Sequence, residues 1–224
     1  RPRRSILYMS GSNARALEKG RSLAADGLIF DLEDSVAPDA KETARSQILD
    51  ALNEGGYGHR ELIVRVNAMD SPWGKKDITT MATSGAHGIL LPKVNSAVMV
   101  QEAEALMAAS NAPDEMTIWT MMETPLGILH GKEIAFSSPR MGAFVLGTSD
   151  LAKDLHCAHT QERLPMITSL GLCILAARAA GIDVIDGVHF DLSDDEGFEY
   201  SCRQGLEMGF DGKTLIHPKT IEMA

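Results

Sequence analysis

The stretch SILYMSGSN at residues 5–13 decides between two folds for this chain of 224 residues. It reads as a short apolar strand followed by a turn with a single glycine, Gly11. A dinucleotide-binding doubly wound sheet would have the glycines of GxGxxG at this turn, and no Walker phosphate-binding motif occurs anywhere in the chain. The turn therefore favours a closed α/β barrel over an open parallel sheet.

The rest of the chain repeats the same unit. Short apolar runs alternate with longer segments of helical periodicity, which predicts right-handed βαβ units and a parallel sheet. Strands are expected at residues 6–9, 27–32, 62–66, 88–91, 117–122, 143–147, 183–188 and 212–216, and helices at positions that include 13–24, 40–53, 96–109 and 166–180. Eight strands are the number that closes a (β/α)₈ TIM barrel, so residues 1–224 are predicted to form one barrel domain.

Local signals mark several helix ends. Ser96 stands where a helix N-cap is expected, Pro125 at a first helical position, and Gly181 directly after an alanine-rich helix. A last helix is expected at residues 218–224, which is too short to cover its part of the barrel. We therefore expect a C-terminal lid segment to be missing from this chain.

Composition excludes several classes of protein. The net charge of −10 opposes non-specific nucleic-acid binding, which depends on Lys and Arg neutralising phosphates. No apolar run approaches the roughly 18 residues of a membrane span. The three cysteines are odd in number and widely spaced, which is typical of free thiols in a reducing compartment. We expect a cytoplasmic protein without nucleic-acid or membrane partners.

Acidic residues directly follow two neighbouring predicted strands. Glu123 comes straight after the apolar run at residues 118–122, and Asp150 comes just beyond residues 144–147. The C-terminal ends of barrel strands converge on one rim, where the chemistry of this fold collects. Two carboxylates without a Cys or His ligand nearby predict a hard-oxygen site for Mg²⁺, with Mn²⁺ as an alternative. Each acid alone could instead cap the following helix, but the pair on adjacent strands favours a metal site.

Arg65 interrupts the apolar third strand. A charge is costly there unless it is paired, because the strands of a parallel barrel are covered on both faces. A guanidinium facing the barrel interior offers a planar fork for a substrate carboxylate. An internal ion pair to Glu33 or Asp31 is the alternative, and the two roles are compatible. For Lys93 and Lys213, also near the rim, structural ion pairing is favoured over imine formation with a substrate.

The chain as a whole resembles the citrate lyase β-subunit-like family, which includes the malyl-CoA lyases within the HpcH/HpaI aldolase group. The resemblance runs from residue 4 to residue 219. Its carriers are SILYMSGS at residues 5–12, DLEDSVAP at 31–38, VRVN at 64–67, LPKV at 91–94, ETP at 123–125, GTSDL at 147–151 and GKTLIHP at 212–218. Each motif is weak alone, but their order and spacing together are specific.

The resemblance assigns roles to residues of the rim. It implies that Glu123 and Asp150 are the Mg²⁺ ligands and that Arg65 binds the carboxylate of a 2-oxo acid. The backbone groups that bind the same acid are those of Gly147, Thr148 and Ser149. The acidic residues expected to support these groups without touching the ligand are Glu33 and Asp34.

The family typically binds CoA thioesters through basic residues around the first βα loop. Arg15 and Lys19 lie four residues apart on one predicted helix face and fit that role. The alternative is a solvated helix face in which they pair with Glu18 or other acids.

The function that we expect is a Mg²⁺-dependent carbon–carbon lyase. It would reversibly cleave a 3-hydroxyacyl-CoA into an acyl-CoA and a 2-oxo acid such as glyoxylate, in a homo-oligomer that is a trimer or a hexamer. The general base of the family resembles an aspartate on the C-terminal lid, so none is assigned here. Three alternatives remain open: a malyl-CoA thioesterase, an aldolase acting on free 4-hydroxy-2-oxo acids, and a citrate lyase β-subunit-like protein that depends on partner subunits.

Overall fold

Eight parallel strands close into a barrel in sequence order in the computed structural model, which describes residues 1–224. The strands are β1 Ser5–Ser10, β2 Gly27–Asp31, β3 Glu61–Arg65, β4 Gly88–Leu91, β5 Thr117–Met122, β6 Met141–Leu146, β7 Asp183–Asp186 and β8 Gly212–Leu215. All eight predicted strands and the (β/α)₈ architecture are confirmed. The pairing of β1 with β8 closes the ring.

Nine helices surround the strands. They are α1 Ala14–Gly20, α2 Lys41–Glu54, α3 Gly74–Met81, α4 Ala97–Ala109, α5 Pro125–Leu129, α6 Gly131–Ala135, α7 Thr148–Asp154, α8 Ile167–Ala180 and α9 Asp195–Met208. No helix is long and apolar enough to cross a membrane.

The helix ends follow the predicted signals in part. Pro125 begins α5, and Gly181 ends α8 with a left-handed backbone (φ 73°), as expected for a glycine at this position. Ser96 occupies the N-cap position of α4 as predicted, although its side chain makes no capping hydrogen bond. One expectation is wrong. Residues 218–224 form no α-helix, because only the 3₁₀ turn Pro218–Thr220 is present, capped by a hydrogen bond from Lys219 N to His217 Nδ1.

The core has two layers. Between the strands and the helices lies one large apolar cluster. Inside the barrel lies a smaller one, formed by Ile6, Ile29, Ile63, Leu90, Trp119, Met121, Ala143, Val145 and Ile185. Because side chains alternate along a strand, residues two positions beyond this inner set also face inward. Asp31 follows Ile29 and Arg65 follows Ile63 in this way, so both project into the barrel mouth.

The opposite, N-terminal end of the barrel is closed by Arg3. Its guanidinium makes two hydrogen bonds of 2.7 Å to the Glu61 carboxylate and one of 2.8 Å to Asp183. It also lies 4.8 Å from the centre of the Trp119 ring. Side chains of the protein thus pair the charge of Arg3, and together these contacts close the lower end of the barrel.

Candidate active site

A cavity of about 470 Å³ opens at the C-terminal ends of the strands, which form the upper end of the barrel. It is called the upper cavity below. The predicted site residues that line it are Asp34, Arg65, Glu123, Gly147, Thr148, Ser149 and Asp150. The other polar residues of its wall are Tyr8, Ser10, Asp31, Ser35 and Thr214. Residues from distant parts of the chain thus meet at the rim where this fold places its chemistry.

Glu123 is buried directly after β5, with only 4% of its surface exposed. Its Oε1 accepts a hydrogen bond of 2.8 Å from the Lys93 amide, and no hydrogen bond reaches Oε2. Burial raises the pKa of Glu123 to about 7, and the negative charge of Asp150 adds to the rise. The protein therefore offsets only part of the free-energy cost of ionising the buried Glu123 carboxyl group.

The backbone at Lys93 and at Gly147 shapes the position of the Glu123 carboxylate. Lys93 has a left-handed backbone (φ 49°), uncommon for a residue other than glycine, and its amide donates to the carboxylate. At Gly147, a Cβ atom would clash with the Glu123 side chain. Any side chain at Gly147 would therefore push against the carboxylate.

Asp150 lies in the first turn of α7, half-buried and without a hydrogen bond or ion pair to its side chain. Helix capping does not explain either acid. The N-cap position of α7 is Gly147 and has no side-chain capping bond, and α5 is capped by Thr124, whose hydroxyl accepts from Gly127 N. Both carboxylates are thus left available to the cavity that they line.

Arg65 makes a two-point ion pair with Asp31, at 2.6 Å from Nε and 2.7 Å from Nη2. Its Nη1 lies 3.4 Å from Glu33 Oε2, and the guanidinium lies 4.8 Å from the centre of the Tyr8 ring. Although burial raises the pKa of Asp31, its hydrogen bonds and the charge of Arg65 outweigh that effect and leave the pKa below its usual value. Asp31, more than Glu33, therefore fixes the position of Arg65.

Asp31 and Tyr8 are site residues that the predicted site set omits. The signal for Asp31 was present in the strand alternation, because Asp31 and Arg65 occupy the same inward-facing parity and are direct neighbours in the register of β2 and β3. Tyr8 also faces inward, as Ile6 does two residues earlier. Its contact with Arg65 could not be predicted from the sequence, because it depends on the closure of the barrel.

Of the two lysines expected near the rim, Lys213 lies instead near the start of β8, level with Ser5 at the start of β1. Lys213 faces outward and is buried against Asp186, with Nζ 3.1 Å from Oδ2, which confirms structural ion pairing. Burial lowers the pKa of Lys93, but the charges of Asp150, Glu33 and Glu123 outweigh it, and the net pKa lies above its usual value. A protonated amine is not a nucleophile, so this environment disfavours imine formation.

The remaining predicted residues lie at the periphery. Glu33 is half-buried beside Arg65, and its side chain accepts a hydrogen bond from the exposed Asp34 at the backbone amide. Arg15 and Lys19 are both exposed on α1 and neither lines the cavity. The suggested pairing with Glu18 is absent, because Glu18 pairs with Arg21.

Known proteins resemble this chain along its whole length. The family described as HpcH/HpaI aldolase/citrate lyase matches residues 4–218. A (3S)-malyl-CoA thioesterase from Cereibacter sphaeroides is 50% identical over 223 residues, which cover 100% of this chain and 76% of the relative. A citrate lyase subunit beta from Escherichia coli is 37% identical over 228 residues, covering 100% of this chain and 76% of that protein.

A solved structure is also similar to this chain. It is the citrate lyase beta subunit from Mycobacterium tuberculosis, complexed with oxaloacetate and magnesium. It superimposes with a TM-score of 0.83 at 26% identity, covering 99% of this chain and 95% of that one.

Proposed function

Because this chain belongs to the HpcH/HpaI aldolase/citrate lyase family, we propose that its upper cavity binds the hydroxy-acid end of a malyl-CoA-type thioester with Mg²⁺. Hydrolysis of the thioester bond is the reaction we favour. The observation that carries the proposal is the buried, partly compensated Glu123 carboxylate beside Asp150, in one cavity with Arg65. The choice of hydrolysis rests on 50% identity over the whole chain to a (3S)-malyl-CoA thioesterase.

The residues present fit Mg²⁺. This ion is usually held by one or two protein carboxylates and keeps its other positions for water and substrate oxygens. Glu123 Oε2 and the Asp150 carboxylate line this cavity and receive no hydrogen bond from the protein, and the same is true of the exposed Asp34 carboxylate at its edge. When bound, Mg²⁺ supplies a Lewis acid that polarises a substrate oxygen. Its charge would also offset the cost of ionising the buried Glu123.

The other residues of the wall orient the substrate. Arg65 is held rigid by Asp31 and Tyr8, and its planar guanidinium lines the cavity floor, where it would donate hydrogen bonds to the free carboxylate of the substrate. The first amides of α7, at Thr148 and Ser149, have no acceptor within the helix and line the same cavity. They are available to hydrogen-bond the oxygens of that acid.

The two candidate reactions break different bonds of the same substrate. In hydrolysis, a water oxygen forms a bond to the thioester carbon, the carbon–sulfur bond breaks, and the CoA thiolate leaves with a proton. In carbon–carbon cleavage, the hydroxyl loses its proton, the bond between the hydroxyl-bearing carbon and the next carbon breaks, and the acetyl-CoA enolate takes a proton. The second candidate is favoured by the likeness to a citrate lyase beta subunit that holds oxaloacetate and magnesium.

Product analysis separates the candidates. Purified protein is incubated with malyl-CoA and Mg²⁺, and the products are resolved by chromatography. Hydrolysis yields malate and free CoA, whereas cleavage yields glyoxylate and acetyl-CoA. The Glu123→Gln variant is expected to be inactive, and Glu133→Gln, on the exposed surface of α6, is the matched control. Turnover that persists in Glu123→Gln, or that does not need a divalent cation, would contradict the proposed site.

A partner-dependent protein is a further outcome of the same experiment. It would bind a 2-oxo acid with Mg²⁺ but release none of the four products. Size-exclusion chromatography with light scattering then tests the expected homo-oligomer, for which a trimer or a hexamer is proposed.

A further inference from the structure

Helix α8 is apolar on its outer side as well as on the side that packs against the barrel. Arg178 is the only charged residue among its fourteen. Leu170 and Cys173 are buried, whereas Leu172 and Leu175 are 39% and 68% exposed. A helix at a protein surface normally has a polar outer face, and a helix that is apolar on all sides is normally buried. The outer side of α8 therefore has the composition of a surface that is covered.

The exposed residues of α8 follow the spacing by which helices pair. Thr168, Leu172, Leu175 and Ala179 are all exposed, and the steps between them are four, three and four residues. Alternating steps of three and four residues place side chains along one stripe of a helix, the pattern by which two helices pack side by side. The two leucines lie at the centre of this stripe.

Two further leucines extend the stripe onto α5. Helices α5 and α6 pack beside α8, and Gly131, the first residue of α6, lies against the Ala176 side chain. Leu126 and Leu129 of α5 are 50% and 73% exposed, and their spacing of three residues places them on one helix face. The exposed leucines of α5 and α8 are called the leucine surface below: Leu126, Leu129, Leu172 and Leu175.

The size of the leucine surface is that of an interaction site. Four leucines exposed to this extent present roughly 400 Å² of apolar surface, within the range at which a patch on a soluble protein marks an interaction surface. A stable interface buries about 800 Å² on each partner and has an apolar centre inside a polar rim. The leucine surface has the size and composition of such a centre.

Charge favours a second copy of this chain as the partner. The chain has a net charge of −10, so two copies repel each other over most of their surface. Neither α5 nor α8 contains Asp or Glu, and Arg178 is paired with Asp211. Two copies can therefore meet at the leucine surface without bringing acidic groups together. A helix that binds a lipid surface carries Lys and Arg on its polar face, and α8 has none beyond Arg178.

The same surface on the second copy is the best match. Other pairs of exposed apolar side chains belong to concave parts of the molecule, because Phe190 and Ile216 line the upper cavity and Leu206 and Met223 line a groove beside α9. The leucine surface, in contrast, lies on the outside of neighbouring helices. Two identical surfaces pair about a twofold axis.

We propose that the leucine surface is a twofold interface between two copies of this chain, in which α8 packs antiparallel to α8 of the second copy. The axis passes between Leu172 and Leu175, at the centre of the stripe. A twofold interface gives an even number of subunits, so of the two assemblies proposed above it fits the hexamer and not the trimer. None of these leucines lines the upper cavity, so the inference does not depend on the reaction proposed there.

The test is sedimentation velocity of the full chain over a range of concentrations, with Leu175→Glu and Leu206→Glu compared with the parent. Leu206 lies on α9, outside the leucine surface, and is 75% exposed, so it is the matched control for the same change. Leu175→Glu brings a carboxylate to the centre of an apolar interface, and we expect it to weaken association by about tenfold or more. Leu206→Glu should associate as the parent does.

A mixing experiment tests the twofold axis. Leu175→Glu and Leu175→Lys bring opposite charges together only if position 175 of one copy lies near the same surface of the other. An equimolar mixture of the two variants should therefore associate more tightly than either variant alone. No gain on mixing would overturn the twofold pairing.

Two further results would overturn the whole proposal. One is a parent that stays monomeric at every concentration, and the other is equal association by Leu175→Glu and the parent. Binding of a monomeric parent to vesicles of phosphatidylcholine and phosphatidylglycerol, lost in Leu175→Glu, would overturn it in favour of a membrane as the partner. Circular dichroism of each variant checks that the fold is retained.

Discussion

The two ends of the barrel each hold an arginine, buried at the upper end and half-buried at the lower end, and they differ in what surrounds it. At the lower end, Arg3 is bound by Glu61 and Asp183 and lies over Trp119. At the upper end, Arg65 is bound by Asp31 and lies against Tyr8, but it also faces an open cavity. The contacts of the two guanidinium groups are similar.

What differs is the balance of nearby acids. Glu61 gives both oxygens to Arg3, whereas Glu123 receives only one amide hydrogen bond and has a raised pKa. The lower end is thus arranged for stability and the upper end for binding a ligand. Mutations at the lower end should therefore reduce the stability of the fold and leave ligand binding intact. Mutations at the upper end should impair ligand binding and leave the fold stable.

The largest difference is expected between Glu61→Gln and Glu123→Gln. Glu61→Gln removes one of the two acidic partners of the half-buried Arg3 and should lower the free energy of unfolding by about 2 kcal/mol, with Mg²⁺ binding retained. Glu123→Gln should abolish Mg²⁺ binding without destabilising the fold. Urea unfolding and Mg²⁺ titration of both variants provide the comparison. A large loss of stability in Glu123→Gln would remove the distinction between the ends.

The pH dependence of Glu123→Gln sharpens this contrast. The pKa of Glu123 is raised from 4.5 to about 7, so its neutral form is favoured by folding. That preference is fully present below about pH 4.5 and is lost as the pH rises through about 7. In the absence of metal, the variant should be more stable than the parent by roughly 1–3 kcal/mol at about pH 8, and no more stable at about pH 4.5. Equal stability of the two proteins at both pH values would contradict the assigned pKa.

A second comparison uses the arginines themselves. Arg65→Lys keeps the charge but loses the planar fork, and we expect the affinity for glyoxylate in the presence of Mg²⁺ to fall by about tenfold. Arg3→Lys is the matched control and should leave that affinity unchanged. Titration calorimetry of both variants measures the effect. Near-normal glyoxylate affinity in Arg65→Lys would exclude the arginine from ligand binding.

Much of the fold was predictable because each part of it has a local signature. Strands of a parallel barrel are buried on both faces, so most of them appear as apolar runs, although β7 carries Asp183 and Asp186 and β8 carries Lys213. The positions of Glu123 and Asp150 followed from the rule that strand ends meet at one rim, and both line the cavity there. Arg65 was identified because it is a charged residue within an apolar run.

The features that escaped prediction depend on contacts across the chain. The sequence left Glu33 and Asp31 open as partners of Arg65, and only the register of β2 and β3 makes Asp31 the main one. The hydrogen bond from Lys93 N to Glu123 needs a left-handed backbone, which no pattern of residue types indicates at this lysine.

A smaller effect than those of the arginine variants is expected for the pH dependence of Mg²⁺ binding. Because Mg²⁺ binds the ionised carboxylate, its affinity should be constant above about pH 7 and fall by up to about tenfold for each pH unit below it. Calorimetric Mg²⁺ titrations at several pH values measure this slope. An affinity that does not change between about pH 5 and pH 8 would argue that Glu123 is not a ligand.

The smallest effects are expected on α1. Arg15→Ala and Lys19→Ala should each raise KM for the CoA thioester by about two- to fivefold, with the effect reduced by salt, because exposed charges interact weakly. Lys132→Ala, exposed on α6, is the control. An unchanged KM in both α1 variants would place the CoA elsewhere on the rim.

The most direct test of the metal site is a crystal structure of the protein with Mn²⁺ and glyoxylate, with the metal located by its anomalous scattering. We predict one metal peak in the upper cavity, bonded to Glu123 Oε2 and an Asp150 oxygen at about 2.0–2.3 Å, with the glyoxylate carboxylate on the side of Arg65. A metal bound outside this cavity, or glyoxylate bound there without contact to a metal on Glu123, would contradict the account.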